Sequence, residues 1–402
     1  MNMITGDYMK KGLLKIITSI LFLGLIITLS SCDIHFENLF SSNSATSTKD
    51  GTEIVEKDDD KNKTTGDNST SGTNTGNNQT DGNTSTNVEK TDEEELKIKD
   101  LILDYQHDYG YLKLGEIDTY GEDLQTIYEE AFNQAKIVLT SANDYEKTTK
   151  TVNENGSTVE KQYYLLPEIK INGSNIKSSS FTIKMAISAV MEMIYDNPLF
   201  YFLSPGYLNS SDTVYLMLID EYATASARTV MNNSILSIVS DYKTNNNYTS
   251  DYQKINSVNK YIMKKLVYAK DGSGKPEDSY WAHNLEGFVN PIYNKGVCEC
   301  YAKACSLLMK VVGVESILVT GTATSGGSTA GHAWNYVKID NKWYGLDVTW
   351  NDNDLPDVNK GDYFLVGSNK MNTDHTPSSS SVYSSSFRVE APTLSTTAYS
   401  II

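Results

Sequence analysis

The chain is poor in cysteine, with four in 402 residues, and three of them lie within eight consecutive positions. So few cysteines disfavour a disulfide framework as the basis of the fold. Basic residues are also scarce: 34 Lys and Arg stand against 51 Asp and Glu, which gives a formal net charge of −17. A chain this acidic lacks the clustered positive charge that neutralises phosphates, so nucleic-acid binding is not expected.

The N-terminus has the pattern of an export signal. Lysines at positions 10, 11 and 15 precede an apolar run over residues 16–29, as in the charged and apolar regions of a secretory signal. The run ends in Leu-Ser-Ser-Cys, which resembles the lipobox of bacterial lipoproteins, where cleavage precedes a lipidated cysteine. We therefore expect residues 1–31 to be a lipoprotein signal peptide and Cys32 to carry the lipid, with an uncleaved membrane anchor as the alternative. Both place the remaining chain at the extracellular face of a bacterial cell membrane.

Residues 32–95 have almost no apolar side chains. Within this segment, residues 49–95 hold 13 acids against 5 lysines and so carry nearly half of the net charge. Such a composition cannot bury enough surface to offset the entropy cost of ordering the chain. We expect a disordered acidic and polar tether with an end-to-end span of about 40–45 Å, which lifts the folded part off the membrane.

Folded sequence is predicted from Leu96 onwards. We expect a mainly helical region at residues 96–255, a second domain at 256–376 and a Ser/Thr-rich tail, extended or partly disordered, at 377–402. Apolar periodicity predicts helices at 96–106, 121–139, 181–195, 224–242 and 251–266, and strands at 163–171 and 213–220.

The three clustered cysteines allow three interpretations. A disulfide is disfavoured because Cys300 and Cys305 would point in different directions from a helix, and a Cys-x-Cys loop is strained. A zinc site would need a second pair of ligands, but the five histidines are scattered along the chain. The third interpretation is a nucleophile at a helix N-terminus, since residues 294–296 predict a turn and the next apolar positions trace one helical face up to Gly313. The unpaired backbone N–H groups of that first turn would favour the thiolate of Cys298, while Cys305 falls on the buried face.

A β-hairpin is predicted about 20 residues beyond this helix. Residues 332–339 and 342–350 have the pattern of strands, and the Asp340-Asn341 pair between them suits a two-residue turn that needs positive φ. This turn would pair Ile339 with Lys342 and so fix the register of the whole hairpin.

The register separates the hairpin into two faces. His332 lies opposite Thr349 and Trp334 opposite Asp347, all four on one side. His332 and Asp347 become diagonal neighbours about 7–8 Å apart at the backbone, a gap that their side chains can bridge. The other side is suited to a core and carries Ala333, Val337, Ile339, Tyr344, Leu346 and Val348.

Three segments together resemble the core of the bacterial transglutaminase-like superfamily, which has a papain-like fold. They are GVCECYAKA, GHAWNYVKI and WYGLDVTWND, and the likeness runs from about Tyr261 to His375, under a third of the chain. It implies an α+β fold in which the helix that bears the cysteine packs on an antiparallel sheet, preceded here by the mainly helical region. It also implies Cys298 as nucleophile, His332 as general base and acid, and Asp347 as the residue that orients the histidine. The likeness continues through GDYFLVGSNKMNTDH, whose final histidine, His375, is not expected to be catalytic.

Other parts of the site are less determined by the sequence. The Cys298 backbone N–H is one expected oxyanion donor, and Trp281, His283 and Asn284 are candidates for the second. Relatives commonly carry glycine where this chain has Cys300, so this second thiol could crowd the acyl pocket or protect Cys298 through a reversible, strained disulfide.

No cofactor or metal is expected. The acidic segment NDNDLPD (351–357) lacks the glycine and the distal glutamate of an EF-hand loop, and we interpret it as a solvated loop.

The function that these observations favour is that of an extracellular, lipid-anchored thiol enzyme. It would cleave or transfer acyl groups at amide bonds of surface proteins or cell-wall peptides, as a peptidase or amidase or as a cross-linking transglutaminase. The alternative is an inactive papain-like lipoprotein that binds or scaffolds at the cell surface.

Overall fold

The computed structural model describes residues 96–102, 104–154, 157–172, 175–210, 212–352, 362–378 and 388–401. The predicted signal peptide, Cys32 and the tether lie outside the described residues, as does most of the acidic segment 351–357. Among the described helices, none has the length and apolarity needed to cross a membrane.

The α-helices of the described residues are α1 (Tyr109–Gly115), α2 (Gly121–Thr140), α3 (Ile183–Asp196), α4 (Ala225–Thr244), α5 (Asp251–Lys265), α6 (Tyr280–His283), α7 (Leu285–Val289), α8 (Cys298–Val311), α9 (Val348–Asn351) and α10 (Ser368–Met371). The strands are β1 (Thr148–Glu154), β2 (Ser157–Tyr163), β3 (Ile169–Lys170), β4 (Leu203–Asn209), β5 (Thr213–Leu218), β6 (Val267–Tyr268), β7 (Lys295–Gly296), β8 (Ser316–Ser325), β9 (Ser328–Ile339), β10 (Lys342–Leu346), β11 (Phe364–Val366) and β12 (His375–Pro377).

The largest sheet holds the predicted hairpin at its centre. Its five strands are antiparallel in the order β11-β10-β9-β8-β12. Ile339 pairs with Lys342, and Asp340 and Asn341 have φ of 50° and 59°, so the predicted turn and register are confirmed. Smaller sheets pair β3-β5-β4, β1-β2 and β6-β7.

The helix α8 lies between this sheet and the N-terminal helices. One apolar cluster unites buried residues of α2, α3 and α8 with Ala333, Val337 and Ile339 of β9 and with Leu346 and Val348. The predicted packing face of the hairpin is therefore confirmed, and the chain has an α+β fold with the cysteine-bearing helix against an antiparallel sheet. The boundary predicted between residues 255 and 256 falls inside α5, because α5 and α8 share this core.

Four of the five predicted N-terminal helices are present, as α2, α3, α4 and α5, but the helix predicted at 96–106 is wrong. That segment forms two short 3₁₀ turns at Ile98–Leu101 and Tyr105–His107. The Asp104 side chain accepts a hydrogen bond from the Gln106 N–H at 3.1 Å, and such a local bond competes with helix formation.

The strand predicted at 163–171 is also interrupted. Only Ile169–Lys170 pairs with β5 as a strand, while Leu165 makes an isolated bridge to Met217. Pro167 lies between them and cannot donate a ladder hydrogen bond.

The C-terminal residues lie along the sheet in extended conformation. The Ser395 N–H donates to the carbonyl of Trp343 at 2.8 Å, and the Tyr399 N–H donates to Leu365 at 2.9 Å. Leu394, between them, is buried. The described residues 388–401 therefore pack on the domain that we predicted to end at residue 376.

The buried side chain of Asn335 joins the central strand to the helix α8. Its Nδ2 lies 3.1 Å from the Ala302 carbonyl, 3.0 Å from Ser306 Oγ and 3.3 Å from the Ile317 carbonyl. Asn335 is fully buried, so these bonds form away from competing water.

We predict that Asn335→Leu lowers the free energy of unfolding by about 1–3 kcal/mol, because the acceptors around Nδ2 lose their donor. Denaturant unfolding followed by circular dichroism measures the change. Ser328→Ala on the exposed start of the same strand is the control, with an expected change within about 0.5 kcal/mol. Equal stabilities of the Asn335→Leu variant and the parent protein would contradict this role.

Candidate active site

Cys298 is the first residue of α8. Val297 precedes it in extended conformation, and its N–H donates to the Ala282 carbonyl at 2.8 Å, which fixes the entry to the helix. Val297, the N-cap residue, makes no side-chain capping hydrogen bond. The first backbone N–H groups of an α-helix have no acceptor within the helix, and Cys298 lies in this first turn. Cys298 is 2% exposed. The predicted position of this cysteine at a helix start is confirmed.

The helix α8 and the strand β9 run in the same direction. α8 ends at Val311 and β8 begins at Ser316, so the chain reverses over four residues, and antiparallel β9 reverses it again. Cys298 and His332 therefore lie near the starts of neighbouring elements, at the same end of the helix–sheet layer.

His332 and Asp347 meet as the register predicted. His332 Nε2 lies 2.8 Å from Asp347 Oδ2, and both residues are buried. Burial raises the pKa of Asp347, but the charge and hydrogen bond of His332, together with a hydrogen bond from His375, outweigh burial and hold that pKa below its usual range. Asp347 is therefore an ionised acceptor that orients the His332 ring through Nε2. The second ring nitrogen, Nδ1, lies on the side of the ring away from this hydrogen bond.

One detail of the predicted hairpin is wrong. We expected the second strand to reach residue 350 and Thr349 to lie opposite His332, but β10 ends at Leu346 and Thr349 belongs to α9. The reason is Asp347 itself, whose Oδ1 accepts the Trp350 N–H at 3.1 Å and so caps a new helix.

The structure adds His375 to this pair. His375 Nε2 lies 3.1 Å from Asp347 Oδ2, and His375 Nδ1 lies 2.7 Å from Asp374 Oδ1. The predicted continuation GDYFLVGSNKMNTDH ends in this histidine, but its contact with Asp347 depends on the pairing of β12 with β8. Nothing in the local sequence pattern predicts that pairing, so sequence reasoning missed the residue.

His332, Asp347 and His375 are also grouped closely enough to suggest a metal site, since one donor atom from each lies within 4.8 Å of the others. However, both imidazoles form hydrogen bonds to the carboxylate through Nε2. Each of these bonds requires a proton on Nε2, whereas a metal ion would bind the lone pair of an unprotonated Nε2. We therefore interpret the cluster as a hydrogen-bonded network.

The other two cysteines are packing residues. All three thiols of the cluster are reduced. Cys300 and Cys305 are fully buried in α8, and burial raises the pKa of Cys300 to about 12 and that of Cys305 further still. A Cβ added to Gly296 would lie 2.5 Å from Cys300 Sγ, so the second thiol fills the space that this glycine leaves open.

The three oxyanion candidates differ in what they contact. Asn284 is buried, its Nδ2 donates to the Tyr201 carbonyl at 2.6 Å, and its Oδ1 accepts the Leu285 N–H at 2.8 Å, so its amide serves the scaffold. His283 Nδ1 lies 3.2 Å from Glu299 Oε2. Trp281 stacks on Tyr293 with ring centroids 4.1 Å apart.

Glu299 follows the cysteine and ties it to the preceding segment. Its carboxylate contacts His283 and lies 2.8 Å from Lys303 Nζ, which also donates to the His283 carbonyl at 3.1 Å. Burial raises the pKa of Glu299, but the charge of Lys303 and the hydrogen bond of His283 outweigh it and bring the pKa to about 2. The network holds α6 against the start of α8.

Comparison with known protein families covers the residues of this site. Residues 241–348, a little over a quarter of the chain, match the model of the transglutaminase-like superfamily, and the match includes Cys298, His332 and Asp347. A solved structure titled "Crystal structure of a TGase" is similar over 37% of this chain and 43% of its own, at 16% identity and a TM-score of 0.27. The chain thus spans less than half the length of that structure. No curated protein matches.

We predict that Gly296→Ala destabilises the fold by about 1–3 kcal/mol, because its new Cβ overlaps Cys300. Cys300→Gly in that background should recover part of the loss, although Cys300→Gly alone is destabilising. A double-mutant cycle by denaturant unfolding measures this coupling. Gly272→Ala, with no heavy atom within 4 Å of the new Cβ, is the control. Strictly additive effects would show that Cys300 does not fill this space.

We predict that Glu299→Gln lowers the unfolding free energy at pH 7 by about 2–4 kcal/mol, because it removes one partner of a buried ion pair. The folded pKa of Glu299 is about 2, against an ordinary value of 4.5. Its contribution is therefore complete above pH 4.5 and is lost as pH falls through 2.

The measurement is the difference in unfolding free energy between the parent and the Glu299→Gln variant from pH 7 to pH 2. This difference should shrink over the acid range. Glu116→Gln, which removes an exposed ion pair with Lys113, is the control and should cost at most about 1 kcal/mol. A difference that stays constant with pH would refute the assignment.

Proposed function

We propose that this chain, whose residues 241–348 belong to the transglutaminase-like superfamily, is a thiol enzyme that acts on amide bonds through Cys298, His332 and Asp347. The observation that carries the proposal is the buried 2.8 Å hydrogen bond between His332 Nε2 and Asp347 Oδ2, at the end of the layer where α8 begins with Cys298. A thiol nucleophile needs a helix N-terminus, a base and an anion that orients the base. The start of α8, His332 and Asp347 would supply these in turn.

The reaction follows from these positions. The Cys298 sulfur attacks the amide carbonyl carbon while the thiol proton resides on His332, and an S–C bond forms. The backbone N–H groups at the start of α8 stabilise the developing oxyanion. His332 then protonates the leaving nitrogen, the C–N bond breaks and an amine departs. The thioester is finally attacked by water, which yields a free acid, or by an amine, which yields a new amide.

We propose hydrolysis as the main outcome and surface proteins or cell-wall peptides as the substrates. The support is the N-terminal sequence, whose resemblance to an export signal and a lipobox would place the enzyme outside the cell in an aqueous compartment. An amine acceptor would need a site that excludes water.

A scaffolding function is the second candidate. It is favoured by the small exposure of Cys298, 2%, which leaves a substrate little access to the thiol. In that case the chain would retain the fold and bind surface components without catalysis.

We predict that iodoacetamide alkylates Cys298 near pH 6 at least about ten-fold faster than it alkylates glutathione, because the thiolate is held by His332 and the helix N-terminus. His332→Ala should abolish the excess rate. Peptide mass spectrometry assigns the modified residue. Cys300 and Cys305, whose raised pKa keeps the thiols protonated, serve as internal controls that stay unmodified. A rate no faster than that of glutathione supports the scaffold instead.

The products distinguish the two acyl acceptors. The purified protein is incubated with wall peptides and a labelled primary amine, and Cys298→Ala serves as the inactive control. Free acid indicates hydrolysis, and incorporated amine indicates transamidation. Equal outcomes for the parent protein and Cys298→Ala would refute both activities.

A further inference from the structure

Asp347 Oδ2 accepts hydrogen bonds from two imidazoles, and only one of them, His332, belongs to the proposed triad. The second, His375, lies 3.1 Å from the same oxygen and is buried. It also lies outside the segment that matches the transglutaminase-like model. We infer that His375 is a positioning residue for the triad: a doubly protonated imidazole that bridges Asp374 to Asp347 and holds the Asp347 carboxylate against His332.

Counting protons supports the double protonation. An ionised carboxylate can only accept hydrogen bonds, and a neutral imidazole has a single N–H to donate. Both ring nitrogens of His375 contact carboxylate oxygens, at 2.7 Å for Asp374 and 3.1 Å for Asp347. If both carboxylates are ionised, both nitrogens must carry a proton.

The surroundings of both carboxylates favour the ionised form. Burial raises the pKa of Asp374, but hydrogen bonds from Tyr363 and His375 outweigh it and keep that pKa below its usual value. Tyr363 donates its hydroxyl to Asp374 Oδ2 at 2.6 Å, and Lys370 Nζ lies 3.6 Å from the same atom. The pKa of Asp347 is likewise lowered.

The surroundings of the ring fix its position. Trp334, Trp350 and Tyr363 pack around His375 with ring centroids 4.5–5.1 Å away. A mobile histidine would not keep two hydrogen bonds at once, whereas a ring enclosed by three aromatic side chains can do so.

The strand that carries His375 approaches the sheet very closely. A Cβ added to Gly321 of β8 would lie 2.1 Å from the Thr376 carbonyl, so β12 packs where only glycine leaves room. Gly321 is also the residue paired with His332 on β9. The same glycine thus brings the strand of His375 beside the strand of His332.

The consequence for the triad is electrostatic. A cationic His375 and His332 both interact with the negative charge of Asp347. The ring centroids of the two histidines are 5.5 Å apart. The charged and titratable groups that face His375 are Asp347, Asp374, His332 and Tyr363, with Lys370 behind Asp374. Without the His375 cation, Asp347 would stabilise a protonated His332 more strongly.

The first test examines the protonation state and does not depend on activity. The full-length protein is labelled with nitrogen-15 histidine, and the His375 signals are assigned by their loss in His375→Gln. At neutral pH we expect protons on both ring nitrogens of His375. A single protonated nitrogen would overturn the inference, whether or not the chain is an enzyme.

The second test rests on the proposed function and measures the pH profile of Cys298 alkylation. His375→Gln keeps one donor for Asp347 but removes the cation. We expect the alkaline limb of the profile, on which His332 loses its proton, to move up by about one pH unit, because Asp347 then stabilises protonated His332 more strongly. We expect the rate to fall about ten-fold, because the Asp347 carboxylate is held less firmly against His332. Asp374→Asn should move the limb in the same direction by less.

The matched control is His107→Gln, at an exposed position in a 3₁₀ turn, which should change neither rate nor profile. A lowered rate with an unmoved limb in His375→Gln would mean that the residue only supports the fold, and would refute positioning. If the parent protein shows no fast alkylation, the proposed function fails, while the spectroscopic result still decides the state of His375.

Discussion

A single buried carboxylate, that of Asp347, sets the local path of the chain. Its Oδ2 accepts from two imidazoles and its Oδ1 from the Trp350 backbone N–H. An ionised carboxylate with no exposure is costly unless its lone pairs are satisfied, and these three bonds offset that cost. The bond to Trp350 requires β10 to stop at Leu346 and α9 to begin, and the bond to His375 requires β12 to lie at the sheet edge.

An interaction could be predicted from the sequence where it depends on residues that are close together along the chain. The register of β9 and β10 depends on two turn residues, Asp340 and Asn341, so it was predictable together with the His332–Asp347 contact. The start of α8 at Cys298 was predictable from a turn signal and a helical period. His375 was not, because β8 and β12 are separated by about 50 residues and their pairing depends on a close approach at Gly321.

The N-terminal helical region has a structural part in the site. The Tyr201 carbonyl, which precedes β4, accepts from Tyr280 at 2.9 Å and from Asn284 at 2.6 Å. Tyr222 donates to Glu286 at 2.6 Å in the same segment. These bonds fix α6 and α7, and the loop that follows α7 leads into α8 at Cys298. The N-terminal region, in whose sequence we find no catalytic motif, therefore positions the backbone that precedes Cys298. The boundary between this region and the domain that follows it could not be predicted from composition, because both contribute buried residues to one core.

The three thiols of α8 occupy different environments because of their positions in the helix. Cys300 and Cys305 lie inside the helix, where burial raises the pKa of each thiol and leaves it protonated. Cys298 is just as buried, but it lies where backbone N–H groups have no helical acceptor and where β9 brings an imidazole to the same end of the layer. A glycine at position 300 would leave an empty space beside Gly296, so the second cysteine completes the packing under the first turn. A firmly packed first turn keeps its N–H groups in fixed directions, and electrostatic stabilisation of an oxyanion depends on donors that do not have to reorganise.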